Sequence, residues 1–259
     1  MLHKTTFKTS GIVLRTMDYL ESDRIVVLLT KDAGKMTGIA KGARKSRIRF
    51  ANTLEPFTHL SLILSQKKGN RMAFIEETTT IHHYPGIRAN LEKTLTASYF
   101  TDLIDQFFWE EKPSSPVFHL LCEHLTLIEE NQLIKNLIRF FELRFLRLIG
   151  YEPVLDRCTT CAIPLQSFSS HGFSPSSGGI QCPRCIEQRN TTDIIPISMG
   201  AIRTLLLGQN SPPHLMERII MTEQCAYECH RLLYGFIRHL LGKELKSLHV
   251  LHEIQKMNL

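Results

Sequence analysis

No stretch of the sequence approaches 18 uninterrupted apolar residues, so nothing in it reads as a membrane span. The opening Met1-Leu2-His3-Lys4-Thr5-Thr6 leads into no apolar core of a signal peptide, and the expectation is a cytosolic protein with no membrane partner. There is no internal repeat and no long low-complexity tract. The phosphate-cradling G-x-x-x-x-G-K-[ST], the dinucleotide fingerprint G-x-G-x-x-G and the nucleophile elbow G-x-S-x-G are all missing. His119, Glu123 and His124 miss the H-x-x-E-H zinc spacing by one residue, and five residues apart the two histidines diverge around a helix. His82-His83, His249 and His252 have no carboxylate pair in a useful pattern. Nothing recommends catalysis, and the expectation is a non-enzyme.

What is present is more specific. Of seven cysteines, four form two C-x2-C pairs, Cys158/Cys161 and Cys182/Cys185, separated by 20 residues. That spacing suits a four-cysteine zinc knuckle, and in a reducing cytosol tight pairs suggest metal before disulfide. Two residues between cysteines let both sulfurs of one turn face one ion. Ser174-Pro175-Ser176-Ser177-Gly178-Gly179 supplies the turn that brings the second pair back. A catalytic zinc keeps an open position, whereas four cysteines close the shell, so one structural Zn2+ is expected. The deaminase pattern fails as well, since His171 is followed by Gly172-Phe173 and Gln181 precedes Cys182. Cys122 reads as a small core residue. Cys225 and Cys229, four apart on a helix face beside His230, could ligate a second metal, but no fourth ligand is in sight, and packing is preferred.

Net charge is +6, and its placement matters more than its sum. Residues 31–49 hold Lys31, Lys35, Lys41, Arg44, Lys45, Arg47 and Arg49 against Asp32 alone, while residues 102–130 are acidic. Seven cations in so short a stretch suggest a track for nucleic-acid phosphates, with Phe50 or Phe57 to stack on a base. The competing reading is a solvated charged loop. Arg139, Arg144 and Arg147, with Arg184 beside the cysteines, either extend that track or solvate a helix; the two readings are even.

Hydrophobic patterning gives the fold class. Ile12–Leu14, Arg24–Thr30, Lys35–Ala40, His59–Leu64 and Arg71–Thr80 read as five short strands, with Lys67-Lys68-Gly69-Asn70 as a hairpin tip. A small sandwich or barrel is implied, an OB-type barrel being one option. After Pro85-Gly86 the period becomes helical: Leu91 to Phe107, Phe118 to Ile128, a helix capped by Asn131 and ended by Gly150, Ser198 to Leu206, and Met221 to Leu241. The expected class is α+β, with an N-terminal barrel over 1–82 and a helical domain over 83–259 that carries the knuckle at 154–189.

At this point the chain resembles the RecO family of bacterial recombination-mediator DNA repair proteins, over nearly its whole length. The resemblance is carried by Gly11-Ile12-Val13-Leu14-Arg15, Glu21-Ser22-Asp23-Arg24, Lys41-Gly42-Ala43-Arg44, Leu54-Glu55-Pro56-Phe57 and Ala97-Ser98-Tyr99-Phe100. Gly150-Tyr151-Glu152-Pro153 running into Cys158-Thr159-Thr160-Cys161 is its most recognisable part, and Gly242 to Ser247 resembles the family's ending. One departure is Ala162, where glycine commonly follows the second cysteine. The resemblance implies an OB-fold that binds single- and double-stranded DNA, and annealing of complementary strands. It further implies partnership with RecR and with the C-terminal tail of single-strand-binding protein, and indirect assistance to RecA in the RecFOR pathway. It places the protein in the cytoplasm, at the nucleoid during repair. The alternative is a sequence-specific DNA-binding regulator built on the knuckle, and a third class is a metal-dependent nuclease or deaminase.

Overall fold

The computed structural model describes residues 4–67, 69–108, 113–130, 134–167, 171–189, 192–212 and 219–257. The expected cap at Asn131 lies outside the described residues, as does Lys68 of the hairpin tip. The chain forms two compact units, one of residues 1–130 with 246–259 and the other of 131–245. The change from strand to helix after His82 is therefore not where the chain divides by compactness.

The first unit opens with strands β1 (Lys4–Tyr19), β2 (Asp23–Thr30), β3 (Gly34–Ala40), β4 (His59–Lys67) and β5 (Met72–His82). They close into a barrel in the order β1-β2-β3-β5-β4, with β4 returning to β1. The β3–β5 pairing is parallel and the others are antiparallel. That closed five-strand order is the OB-type barrel, and the class is α+β. Strand periodicity explains it: Gly34, Met36, Gly38 and Ala40 point inward along β3, while Lys35, Thr37 and Ile39 alternate with them. Val13, Val26, Leu28, Met36, Leu60, Leu62, Leu64 and Ile75 fill the interior.

Helices α1 (Pro85–Arg88), α2 (Leu91–Phe107) and α3 (Ser115–Glu130) follow. The Asn90 side chain caps α2 by accepting from the Lys93 N–H at 3.0 Å. Its apolar stripe buries Ala97, Tyr99, Phe100, Leu103 and Ile104.

The second unit holds α4 (Ile134–Leu148), a three-stranded sheet of β6 (Gly172–Ser174), β7 (Gly179–Gln181) and β8 (Ile195–Pro196), the short helix α5 (Pro183–Arg189), and helices α6 (Met199–Asn210) and α7 (Glu223–Leu241). Ser198 caps α6 and Thr222 caps α7, each accepting an N–H three residues on at 3.2 Å. Gly242, at φ 67°, ends α7 in the left-handed region that glycine adopts without strain. The stretch around the cysteines, expected to be irregular, is in fact organised by β6, β7 and α5.

A helix the sequence reading missed, α8 (Lys246–Met257), closes the first unit. It lies against α2 and buries Leu248 and Leu251. The Ser247 hydroxyl donates to the Asp102 carboxylate at 2.5 Å.

Candidate metal centre and nucleic-acid interface

The two cysteine pairs reach one point by different local means. Val154 bridges Gly179 of β7, and the Thr159 N–H donates to the Ile180 carbonyl at 2.8 Å, which ties the first turn to the sheet. Gly179 is obligatory there: a Cβ would lie 2.5 Å from the Val154 carbonyl oxygen. Cys182 follows β7 directly, and Cys185 sits in the first turn of α5 behind Pro183.

All four Sγ atoms lie within 4.8 Å of one another. An ion with Zn–S bonds of about 2.3 Å in a tetrahedron requires sulfur–sulfur edges of roughly 3.8 Å, and Cys161 Sγ to Cys182 Sγ measures 3.8 Å. Burial alone would push the Cys158 thiol up. Backbone N–H groups of Cys161, Cys182 and Thr160 outweigh it and bring the thiol down to about 6. Burial and the three neighbouring cysteines push Cys185 up to about 12. Four sulfurs this close cannot all ionise without a cation among them. The cluster could hold a metal ion, and its donor set is compatible with zinc.

Ala162, which departs from the expected glycine, has φ 59°, and its N–H donates to the Cys158 carbonyl at 2.9 Å. The turn forms despite the Cβ, at a cost of about 1 kcal/mol. Ala162→Gly is expected to stabilise the protein by roughly 0.5 kcal/mol after the entropy glycine adds to the unfolded chain. A urea titration monitored by circular dichroism checks this.

Cys229 is fully buried, its thiol pushed up by burial, and it donates to the Ala201 carbonyl at 3.7 Å. Cys225 donates to the Thr204 hydroxyl at 3.5 Å. Both sulfurs thus reach from α7 to α6. Cys122 is half-buried, and burial raises its thiol to about 11. His119 faces solvent while His124 is buried and bonded to the Leu120 carbonyl at 3.0 Å, so the pair does diverge around α3.

The basic segment leaves β3 as a pinned arch. The Gly42 N–H donates to Asp23 Oδ1 at 2.9 Å, and Ala43 enters the barrel core. Hydrogen bonds from the Gly42 N–H, where φ is 69°, and from the Ser22 hydroxyl hold the Asp23 carboxyl below the usual carboxylate range. At the far end Arg49 donates to the carbonyls of Glu76 and Ile75 at 2.5 and 3.0 Å. Lys41, Arg44, Lys45, Arg47 and Arg49 are exposed. Arg44 is committed to the Leu20 and Glu21 carbonyls and to Asp18, whereas Lys45 and Arg47 make no ion pair among the described residues.

Three expectations need correction. Phe50 is 4% exposed and packs in the barrel core, and Phe57 is 5% exposed, so neither can stack on a base. Lys35 is 12% exposed and donates to the Asp105 carbonyl and carboxylate at 2.6 and 3.1 Å, so it braces α2 instead of facing a strand. Arg139 is 5% exposed, paired with Glu142 at 3.0 Å and hydrogen-bonded to His230 Nδ1 at 2.9 Å. Arginine has no acceptor, so that ring nitrogen is the unprotonated one. A buried, paired arginine carries no phosphate.

Of the other arginines, Arg144 is half-buried and donates to the Ser211 carbonyl. Arg147 is exposed, near the Gln209 carbonyl at 3.3 Å and Glu152 at 3.7 Å. Arg184 is exposed on α5.

The sequence reading also missed a cavity of about 290 Å³ beside the arch, lined by Lys4, Lys41, Arg49, Lys67, Phe74 and Glu76. Lys41 Nζ stands 5.1 Å over the Phe74 ring. Four cations face one carboxylate, which Lys4 and then Ser65 hold in its charged form. Strand alternation could have found Phe74, since its neighbours Ala73 and Ile75 point inward.

Comparison with known proteins agrees with this architecture. The family model "Recombination protein O N terminal" matches residues 2–84, and "Recombination protein O C terminal" matches residues 88–249. The chain belongs to the RecO family. It is 48% identical over 256 residues to "DNA repair protein RecO" of Syntrophus aciditrophicus (strain SB), with 99% of each chain covered. It is 33% identical to the protein of the same name from Geobacter metallireducens, over 96% of this chain and 98% of that one. A third RecO, from Dehalococcoides mccartyi, is 32% identical over 98% of both. Among the described residues, no helix is long and apolar enough to cross a membrane.

Proposed function

We propose that this RecO-family protein is a recombination mediator that works by binding DNA, not by turnover. It binds single- and double-stranded DNA and anneals complementary strands. With RecR it helps RecA load onto DNA coated by single-strand-binding protein, whose C-terminal tail is a direct partner. It acts in the cytoplasm, at the nucleoid during repair. The observation that carries the reading is the exposed arch Lys41 to Arg49, five cations without an acid, projecting from an OB-type barrel in a member of a DNA repair family.

Within it, Lys41, Lys45, Arg47 and Arg49 contact phosphates, and Arg44 shapes the arch through Leu20 and Glu21. In the second unit the exposed Arg147 and Arg184 contact phosphates as well. The cysteine cluster holds one structural Zn2+, because a closed all-sulfur shell leaves no position for substrate or water.

Mixing two complementary labelled oligonucleotides with the protein, without any cofactor, is the test. Annealing well above the spontaneous rate is expected. Absence of annealing together with no affinity for single strands at low salt would refute the mediator. An affinity varying more than about a thousandfold with sequence would favour a regulator instead.

A further inference from the structure

Ile48 is 95% exposed. Isolated exposed aliphatics are ordinary, but the setting of this one is not. It stands between Arg47 and Arg49 on an arch whose two ends are fixed. Ala43 is in the barrel core on one side. On the other, Phe50 is in the same core and its N–H donates to Ser46 Oγ at 3.0 Å. Thr78 Oγ1 donates to the Arg49 carbonyl at 3.2 Å, adding a further tie to β5. The arch therefore cannot fold back to bury Ile48 without dismantling these bonds.

We infer that Ile48 is an apolar wedge that enters between stacked bases when the arch closes on a DNA strand. This rests on the DNA-binding reading above and adds a mode of contact to it. Three observations converge. The side chain is aliphatic and fully presented to whatever docks there. Its neighbours along the chain, Lys41, Arg44, Lys45, Arg47 and Arg49 with no acid among residues 41–49, complement a polyanion and repel a basic surface. The arch's own aromatic, Phe50, is withdrawn into the core, so the arch itself offers no ring for stacking. Apolar residues at such positions part a base step while flanking cations hold the phosphates on either side.

An unstacked strand presents its base edges, which is the state a complementary strand must meet to pair. The wedge thus gives annealing a physical step that charge alone does not provide.

The test uses the full-length protein and DNA carrying 2-aminopurine, whose emission rises when it leaves the stack. Binding of the wild type is expected to raise the emission of single strands and of duplex. Ile48→Ser is expected to bind with the same salt dependence but to lose the rise, and Ile48→Phe to keep it. A full rise with Ile48→Ser overturns the wedge, as does a wild type that binds without any rise; both leave the DNA-binding reading standing and point to a protein partner for Ile48. A wild type that fails to bind at low salt overturns the reading itself.

Discussion

Replacing Cys182 with serine is expected to abolish metal retention and to unfold the segment from Cys158 to Cys185. The four sulfurs meet at one point, and only the Cys182–Cys185 turn brings α5 to it. Metal binding at such sites contributes on the order of 10 kcal/mol or more, as much as a domain's whole stability. Besides the cysteines, Leu155, Leu165, Phe173 and Ile180 are buried in this stretch among the described residues, too few large apolar side chains to replace that contribution. Elemental analysis should find one zinc per wild-type chain and none in Cys182→Ser, and limited proteolysis should cut within 158–185 only in the variant. A variant as resistant as the wild type would show that the cluster is not what holds this segment. Two zinc ions per chain would reopen Cys225 and Cys229 as ligands.

The second large effect is at Arg139. With Glu142 fully buried beside it, Arg139→Ala leaves a carboxylate in the interior without this cation. Removing one partner of such a pair destabilises by about 3–5 kcal/mol, a fall in melting temperature of roughly 10 °C. Replacing both Arg139 and Glu142 by methionine should recover much of the loss, because the burial of charge disappears with the charges. The salt dependence of DNA binding should be unchanged in Arg139→Ala, which separates a structural arginine from a phosphate ligand. A stable variant with weakened salt dependence would restore the reading of Arg139 as part of the DNA track.

Much of this was legible in the chain. Strand alternation announced the barrel because every second position faces inward, Leu60, Leu62 and Leu64 along β4 and Gly34, Met36, Gly38 and Ala40 along β3. The cysteine spacing announced the cluster because two short turns can place four sulfurs together with little dependence on the rest. What failed was the direction of side chains where no period exists. Phe50 lies in an irregular loop among cations, and nothing local says that it turns into the barrel. Arg139 does sit on a periodic helix, and its partner Glu142 three residues on was a readable sign of an internal pair. Helix α8 escaped because its buried residues, Leu248 and Leu251, repeat only once in a short amphipathic stretch beyond Gly242. Lys35 could not be assigned from sequence, since its partner Asp105 is 70 residues away.

The central claim is that the basic arch of the barrel holds DNA by its phosphates. It is tested most directly by titrating a fluorescent single strand at several salt concentrations, with wild type and with Lys45→Ala/Arg47→Ala, which removes two arch cations that make no ion pair among the described residues. If the four cations Lys41, Lys45, Arg47 and Arg49 contact phosphates, the logarithmic salt slope of the wild type is near −2.8, or roughly fiftyfold weaker binding between 50 and 200 mM salt. The double variant should flatten it by about 1.4, two phosphates' worth. An identical slope in the two proteins would contradict the account and remove the arch from the DNA interface.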